Sequence, residues 1–354
     1  MNLKLRYYFL PIFILSMLTA TIVAQDVHFS QFINTPLLIN PALTGVFNGD
    51  DRAILNYRNQ WSSVGNPYVT SMVSYDKGFL KNKWNSMYLG AGIAIFNDKA
   101  GVTEFGITQV NLSISSVVAL NDHHTASAGL QGGFAQRGIS NTDVNWASQF
   151  NGSAYDPSIN AGETNTINTA PFNYGDFAMG VTWSFSQKPS DMTSNDQIRL
   201  RAGAALFHVN KPKQQFHLDE VEQLYSKLVV HSKVYLGINN TNVALIPSVL
   251  YLQQKSAREV ILGGMIRYEL QEKSKYTGLL KGMALYLGGH VRLGDAFIPS
   301  VVMEISNYAI GFSYDVNVSG LTKATGGQGG YELSLSFINP NPFTYTRSIG
   351  GAMF

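Results

Sequence analysis

Apolar and polar residues alternate with a period of two along most of the chain after residue 50, as expected for β-strands with two different faces. Phe177, Met179, Val181, Trp183 and Phe185, for example, occupy every second position, with Ala, Gly, Thr and Ser between them. The pattern predicts about fourteen strands, an even number as in bacterial barrels. The predicted strands are 52–61, 67–77, 86–97, 104–120, 125–138, 174–186, 197–208, 228–238, 241–254, 258–271, 281–293, 296–306, 308–317 and 329–338.

The length and chemistry of these segments favour a membrane barrel over a soluble β-sandwich. They run to about 9–11 residues, whereas strands of soluble proteins usually have about 5–6. Their less apolar face is rich in Gly, Ser, Thr and Asn, as in a barrel interior. Aromatic residues near segment ends suggest interfacial girdles: Trp61, Tyr68, Tyr75, Tyr88, Trp183, Tyr251, Tyr268, Tyr286 and Tyr308. We therefore predict an all-β transmembrane outer-membrane barrel of antiparallel strands.

The N-terminus has the features of a secretory signal peptide. Lys4 and Arg6 precede the apolar run Phe9–Leu18, and Ala24 provides a small residue for cleavage. This apolar run is shorter than the roughly 20 residues that a membrane-spanning helix needs. We predict a signal peptide at 1–24, a periplasmic segment at 25–51, a barrel at 52–338 and a periplasmic tail at 339–354.

Loop lengths predict how the barrel is oriented. The two longest connections, Ile139–Asn173 and Val209–Lys227, should leave the same end, because both join an odd-numbered to an even-numbered strand. Long loops usually lie outside and short turns in the periplasm. The pre-barrel segment 25–51 and the tail 339–354 would then both lie on the periplasmic side. The apolar residues of the pre-barrel segment need cover, so we predict a plug that folds into or against that end: Phe29, Phe32, Leu37 and Leu38.

Charge and composition narrow the chemistry further. The chain has 25 Lys and Arg against 23 Asp and Glu, and removal of Lys4 and Arg6 with the signal leaves 23 of each. A neutral mature chain gives no basic field for nucleic acid. There are no cysteines, and no recognisable catalytic, cofactor or metal motif occurs, so we expect no enzyme and no cofactor. Six charges are candidates for the lumen, where they would set pore selectivity or brace the wall: Arg58, Arg199, Arg201, Arg267, Arg292 and Glu304.

An ordered set of short motifs resembles a known family. The motifs are Asp26–Phe32, Asn40–Gly45, Tyr57–Trp61 with Pro67 and Tyr68, Trp146 and Gln149, Phe207–Pro212, Arg292–Pro299 and Tyr314–Asn317. Together they are similar to the PorP/SprF family of type IX secretion membrane proteins of Bacteroidetes. The resemblance implies an outer-membrane barrel that serves protein secretion and, in gliding bacteria, surface display of a large adhesin through its C-terminal domain.

Two functional classes remain open at this point. One is an interaction protein that assists export or anchoring of a secreted adhesin together with type IX components. The other is a passive porin or small-solute channel. For the first class, the residues that we expect to contact the partner are in the long loops or beside them: Trp146, Phe150, Tyr155, Phe172, His208 and Pro212.

Overall fold

The computed structural model describes residues 27–63, 65–81, 86–140, 146–160, 170–187, 195–216, 221–271, 282–320 and 322–339. The predicted signal peptide at 1–24 and nearly all of the predicted C-terminal tail lie outside these residues.

The described strands form a closed antiparallel barrel of 14 strands, as predicted. Each barrel strand pairs with its neighbours in chain order, and β1 closes the barrel against β16, with Asp51 opposite Asn339. The strands are β1 Asp51–Gln60, β2 Tyr68–Phe79, β3 Met87–Ala100, β4 Phe105–Ala119, β5 His124–Ile139, β6 Phe172–Gln187, β7 Ile198–Phe207, β8 Lys213–Gln214, β9 Glu222–Gln223, β10 Lys227–Gly237, β11 Val243–Gln254, β12 Ala257–Gln271, β13 Met283–Arg292, β14 Ala296–Ile305, β15 Tyr308–Asn317 and β16 Gln328–Asn339. The two-residue strands β8 and β9 form a separate hairpin, which the sequence pattern did not predict.

The alternation along each strand separates a lumenal face from an outer face. On β4 the polar residues Gln109, Asn111 and Ser113 are buried, while Leu112 and Ile114 are about 60% exposed. An outer surface of this kind is suited to lipid.

Two of the predicted girdle aromatics face the lumen instead. Tyr286 is buried between the outward-facing Leu285 and Leu287, and the Tyr88 hydroxyl donates a hydrogen bond to the Gly45 carbonyl at 3.3 Å. The lumenal facing of these two residues follows from the period of two, because the neighbours of an outward-facing strand residue point inward. Their position near a strand end had suggested the wrong face.

The connections define two ends of the barrel. Both long connections, β5 to β6 and β7 to β10, leave from one end, which we call the long-loop end. The opposite, short-turn end carries the tight turns between β4 and β5, β10 and β11, and β14 and β15. The first barrel residue, Asp51, and the last, Asn339, also lie at the short-turn end.

Residues 27–50, which we call the lumenal segment, occupy the interior. They form three short turns of helix, at Phe32–Asn34, Pro36–Ile39 and Pro41–Leu43. The second and third begin with proline, whose fixed φ suits the first helical position, and the Asn40 side chain caps the third by accepting from the Ala42 N–H at 2.9 Å. None of the helices in the described part of the chain is long and apolar enough to cross a bilayer.

Candidate functional site

The lumenal segment runs through the barrel from one end to the other. Next to β1, the Gly45 N–H donates to Asp76 of β2 at 2.8 Å, near the short-turn end. Halfway up, the Asn40 side chain donates to the carbonyls of Val181 and Ala204 at 3.1 and 3.2 Å. At its upstream end, His28 contacts strand residues close to the long loops. The sequence predicts this segment at the short-turn end only. It also reaches the long-loop end, because the lumen offers polar partners along its full height.

Glu332 and Arg58 bind the upstream part of the segment at the seam of the barrel. These two residues are direct partners across the β16–β1 pair, with Arg58 Nε 3.2 Å from Glu332 Oε1. The Glu332 carboxylate accepts from the backbone N–H groups of Ser30 and Gln31 at 2.6 and 2.8 Å. Arg58 donates to the His28 carbonyl at 2.6 Å. The seam residues therefore hold the backbone of the segment, largely independent of its side chains.

Further ion pairs extend this cluster to neighbouring strands. Asp315 of β15 lies 3.1 Å from Arg292 and 3.3 Å from Arg58, and it accepts from the Ser30 hydroxyl at 2.9 Å. Arg292 also lies 3.6 Å from Glu259 of β12. These side chains are at most 5% exposed, and buried charges of this kind are retained only when they are paired. Here Arg58 and Arg292 brace the segment against the wall.

The remaining predicted lumenal charges form a second group near the short-turn end. Arg267 donates to the Tyr286 hydroxyl at 3.1 Å, which donates to Glu304 at 2.7 Å. Arg199 lies over the Tyr235 ring, and Arg201 contacts the Ser184 hydroxyl at 3.4 Å. All six predicted charges thus face the lumen. They form two separate groups, one near each end of the barrel.

Apolar side chains of the segment also pack against the lumenal wall. Phe29 and Leu37 pack with Met72, Phe96 and Tyr174 on one side of the barrel. Phe32 packs with Val229, Leu250, Ile261 and others on the opposite side. Three of the predicted plug residues are thus fully buried, while Leu38 is half-buried.

Inward-facing glycines make room for the segment. A Cβ atom at Gly129 of β5 would collide with the backbone of Pro41 and Ala42, and one at Gly90 of β3 with the Thr44 carbonyl. At Gly180 of β6 it would meet the Asn40 side chain. Sequence reasoning missed these three positions, although a glycine on the lumenal face of a predicted strand is a signal of close backbone approach.

The six predicted partner-contacting residues differ in their accessibility. Phe150 and Tyr155 are 59% and 43% exposed and pair across an isolated β-bridge in the first long loop. Trp146 and Phe172 are half-buried, and Phe172 packs edge-on against Phe216 at 5.2 Å. Pro212 is buried. His208 is also buried, with its Nδ1 atom 2.9 Å from Asp176. The structure therefore leaves the Phe150–Tyr155 pair as the accessible aromatic surface among the six.

Local hydrogen bonds order the tip that carries this pair. Asn151 accepts through its side chain from the N–H groups of Ser153 and Ala154, at 3.0 and 2.9 Å. The Ser158 hydroxyl donates to Asp156 at 2.6 Å, and this bond lowers the pKa of the Asp156 carboxyl. Residues 141–145 and 161–169 of the same loop lie outside the described residues. Within the described ranges, no cluster of His, Asp or Glu side chains is arranged to bind a metal ion.

Solved structures of other barrels resemble this fold at low sequence identity. The toluene transporter TbuX of Ralstonia pickettii is 12% identical with a TM-score of 0.49, over 86% of this chain and 92% of that chain. The toluene transporter TodX of P. putida is 9% identical with a TM-score of 0.44, over 86% and 93%. BamA of Haemophilus ducreyi lacking POTRA domains 1–3 is 9% identical with a TM-score of 0.41, over 82% and 70%. At these identities the likeness concerns the barrel fold alone.

No protein of curated function is significantly similar to the chain in sequence. The family model described as "Type IX secretion system membrane protein PorP/SprF", in contrast, matches residues 22–337. This match covers the lumenal segment and nearly the whole barrel. The chain belongs to the PorP/SprF family of type IX secretion system membrane proteins, and its closed barrel supports an outer-membrane location.

Proposed function

We propose that this protein assists type IX secretion by holding or helping to export a large secreted adhesin, whose C-terminal domain it contacts at the long-loop end. The observation that carries the proposal is the filled lumen. Glu332 and Asp76 bind the backbone of the lumenal segment near opposite ends of the barrel. A barrel filled in this way is better suited to binding a partner at its surface than to passing solutes. Family membership supports the secretion role. In a gliding bacterium, we propose that the displayed adhesin serves gliding motility.

The Phe150–Tyr155 pair is the contact surface that we propose. Exposed aromatic side chains surrounded by polar loop residues are typical of the centres of protein interfaces. Because the tip is ordered by its own hydrogen bonds, little conformational freedom would be lost on binding. Delivery of the barrel to the outer membrane would follow signal-peptide cleavage after Ala24.

Surface display of the cognate adhesin tests this proposal. In the double variant Phe150→Ala, Tyr155→Ala, we expect partner retention to weaken by about 1–4 kcal/mol, as for interface hot spots. The matched control is Val102→Ala, which removes an exposed apolar side chain from a different connection at the same end. Normal display in the double variant, with the barrel at normal abundance, would exclude this pair as the contact.

The proposal includes no catalytic step. The buried Asp176–His208 pair is the feature most like part of a catalytic triad. The nearby Ser226 hydroxyl, however, donates to the His208 backbone carbonyl at 3.1 Å and not to the imidazole ring. We assign this pair to holding the base of the second long loop, next to β6.

A further inference from the structure

A cavity lies between the lumenal segment and the wall formed by β10 to β14. Residues 30–34 of the segment form one side of it, and Lys233, Tyr286 and His290 contribute polar groups to the other side. The His290 ring is held in place, with its Nε2 atom 2.8 Å from the Ser248 hydroxyl. The cavity contains about 470 Å³ of space when its open side is counted, so its enclosed part admits only a small molecule.

The remaining walls of the cavity are largely apolar. Phe32 and Ile33 line it from the segment, and Ile246, Met265 and Val302 line it from the barrel. Walls of this kind favour a ligand with an alkyl chain, because each methylene group that they remove from water contributes to binding. Lys233 adds a positive charge to the same cavity, which favours a ligand that is apolar at one end and anionic at the other.

Two further cations lie beside Lys233 on the neighbouring strand. Arg201 of β7 is its direct partner in the β7–β10 pair, and Arg199 is its diagonal neighbour. Residues directly opposite each other in an antiparallel pair have Cβ atoms about 4.5–5.5 Å apart, and like charges at such positions are destabilising. An anion bound between Lys233 and Arg201 would offset this repulsion.

The contacts of the two arginines with described residues are to uncharged groups. Arg199 contacts Gln197 and lies over the Tyr235 ring at 5.2 Å, and Arg201 lies 3.4 Å from the Ser184 hydroxyl. On the described strands, the carboxylates that face this half of the lumen have other partners: Asp76 with Arg52, Glu269 with Arg267, and Glu304 with Tyr286. Buried cations are stable when an anion is paired with them, and an anionic ligand would provide this pairing.

We propose that the cavity binds a small amphipathic anion, such as a short-chain carboxylate. Its acidic group would lie at Lys233 and Arg201, and its alkyl chain would lie against Phe32, Ile246 and Met265. The site is inside the lumen and separate from the long-loop surface, so this binding is a property in addition to the proposed adhesin contact.

Calorimetric titration of the purified full-length protein in an uncharged detergent tests the proposal. The probes are hexanoate, acetate and 1-hexanol, each corrected for a titration into detergent alone. We expect hexanoate to bind at least about tenfold more tightly than acetate, which lacks the chain. We expect the same advantage over 1-hexanol, which lacks the charge. If acetate bound as well as hexanoate, the site would be one for simple anions. Equal binding of 1-hexanol would remove the role of the cations, and either result would overturn the proposal.

Two variants locate the site. Lys233→Met keeps the length of the side chain and removes its charge, so it should weaken hexanoate binding about tenfold and leave 1-hexanol binding unchanged. Val302→Phe places a larger side chain in the cavity and should weaken the binding of both molecules. Lys99→Met is the matched control, because Lys99 is exposed and pairs with Glu104.

Heat-modified migration on gels shows whether each variant forms a closed barrel. Normal hexanoate binding by closed Lys233→Met or Val302→Phe barrels would contradict the assignment of the site. If these variants do not close, the comparison of the three probes on the natural protein still decides the proposal.

Discussion

At the scale of single residues, the buried pair of Glu332 and Arg58 at the seam is a point where a single substitution should be costly. The Glu332 carboxylate accepts hydrogen bonds from two backbone N–H groups and forms an ion pair with one guanidinium. Each of these groups would lose a charged partner if the carboxylate were neutralised. Hydrogen bonds to charged groups contribute more than neutral ones, and breaking a buried pair from one side leaves the other charge uncompensated.

Glu332→Gln should therefore destabilise the folded barrel by about 3–5 kcal/mol and release the upstream part of the segment. The midpoint of heat-modified migration on gels measures the first effect, and protease cleavage near Ser30 measures the second. Glu104→Gln is the matched control, because its pair with Lys99 is exposed and should contribute less than about 1 kcal/mol. Equal behaviour of the two variants would argue against the seam as an anchor.

Two glycines of β5 test how closely the segment approaches the wall. Gly129 faces the segment backbone, whereas a Cβ at Gly132 would have ordinary contact with Phe177 at 3.5 Å. Gly129→Ala should cost about 1–3 kcal/mol through overpacking, and Gly132→Ala should have little effect. The midpoint of heat-modified migration on gels measures both effects. A larger loss of stability in Gly132→Ala than in Gly129→Ala would contradict the close packing of the segment against Gly129.

At the scale of elements, the strands were predictable and the interior was not. The number of strands and the facing of residues such as Leu112 follow from segments with a period of two. The path of the lumenal segment depends on contacts between residues about 300 positions apart, such as Gln31 with Glu332, and no local pattern encodes them. The segment's apolar residues indicated a need for cover, but only the assembled wall shows where each one packs.

The second long loop is fixed to the wall by an aromatic cluster. Phe216 packs edge-on against Phe105 of β4 and Phe172 of β6, at 5.5 and 5.2 Å, and Arg137 of β5 lies over the rings of Phe105 and Phe216. Such aromatic pairs contribute about 0.5–1.5 kcal/mol each beyond their buried area.

Phe216→Ala should therefore loosen this loop while the barrel stays closed. Limited proteolysis between β8 and β9 should become faster, with unchanged heat-modified migration. Phe150→Ala, which removes an exposed ring from the other long loop, should leave the cleavage rate in this hairpin as it is. Unchanged cleavage in Phe216→Ala would mean that the cluster does not hold the loop.

At the scale of the whole molecule, the segment inside the lumen should reduce the conductance of the barrel for ions and small solutes. The segment has polar contacts to β2, β6 and β16 along its length, and we expect it to interrupt the aqueous path that a porin needs. A passive channel would instead require an open constriction lined by charge.

The reconstituted protein should therefore show no stable open-channel current in planar bilayers. Deletion of residues 27–45 should produce channels, provided that gels show a closed barrel for the variant. Steady porin-like conductance of the full-length protein would favour the channel alternative. A closed but non-conducting deletion variant would show that the segment is not what seals the lumen.

The strands at the seam that closes the barrel also carry residues that bind the lumenal segment. This restricts the order in which the barrel and the segment can assemble. Glu332 and Asp315 belong to the last two strands to be synthesised, and they bind residues that precede the first strand. Either the sheet wraps around the segment before β1 meets β16, or a free chain end is drawn through a finished cylinder. A compact globular domain fused upstream of Val27 separates these routes, because it is too wide to be pulled through. If wrapping comes first, the fusion should assemble with the segment protected from protease. If the segment is instead threaded into a finished barrel, the fused domain should prevent threading. The barrel should then close around an empty lumen and leave residues 27–50 accessible to protease.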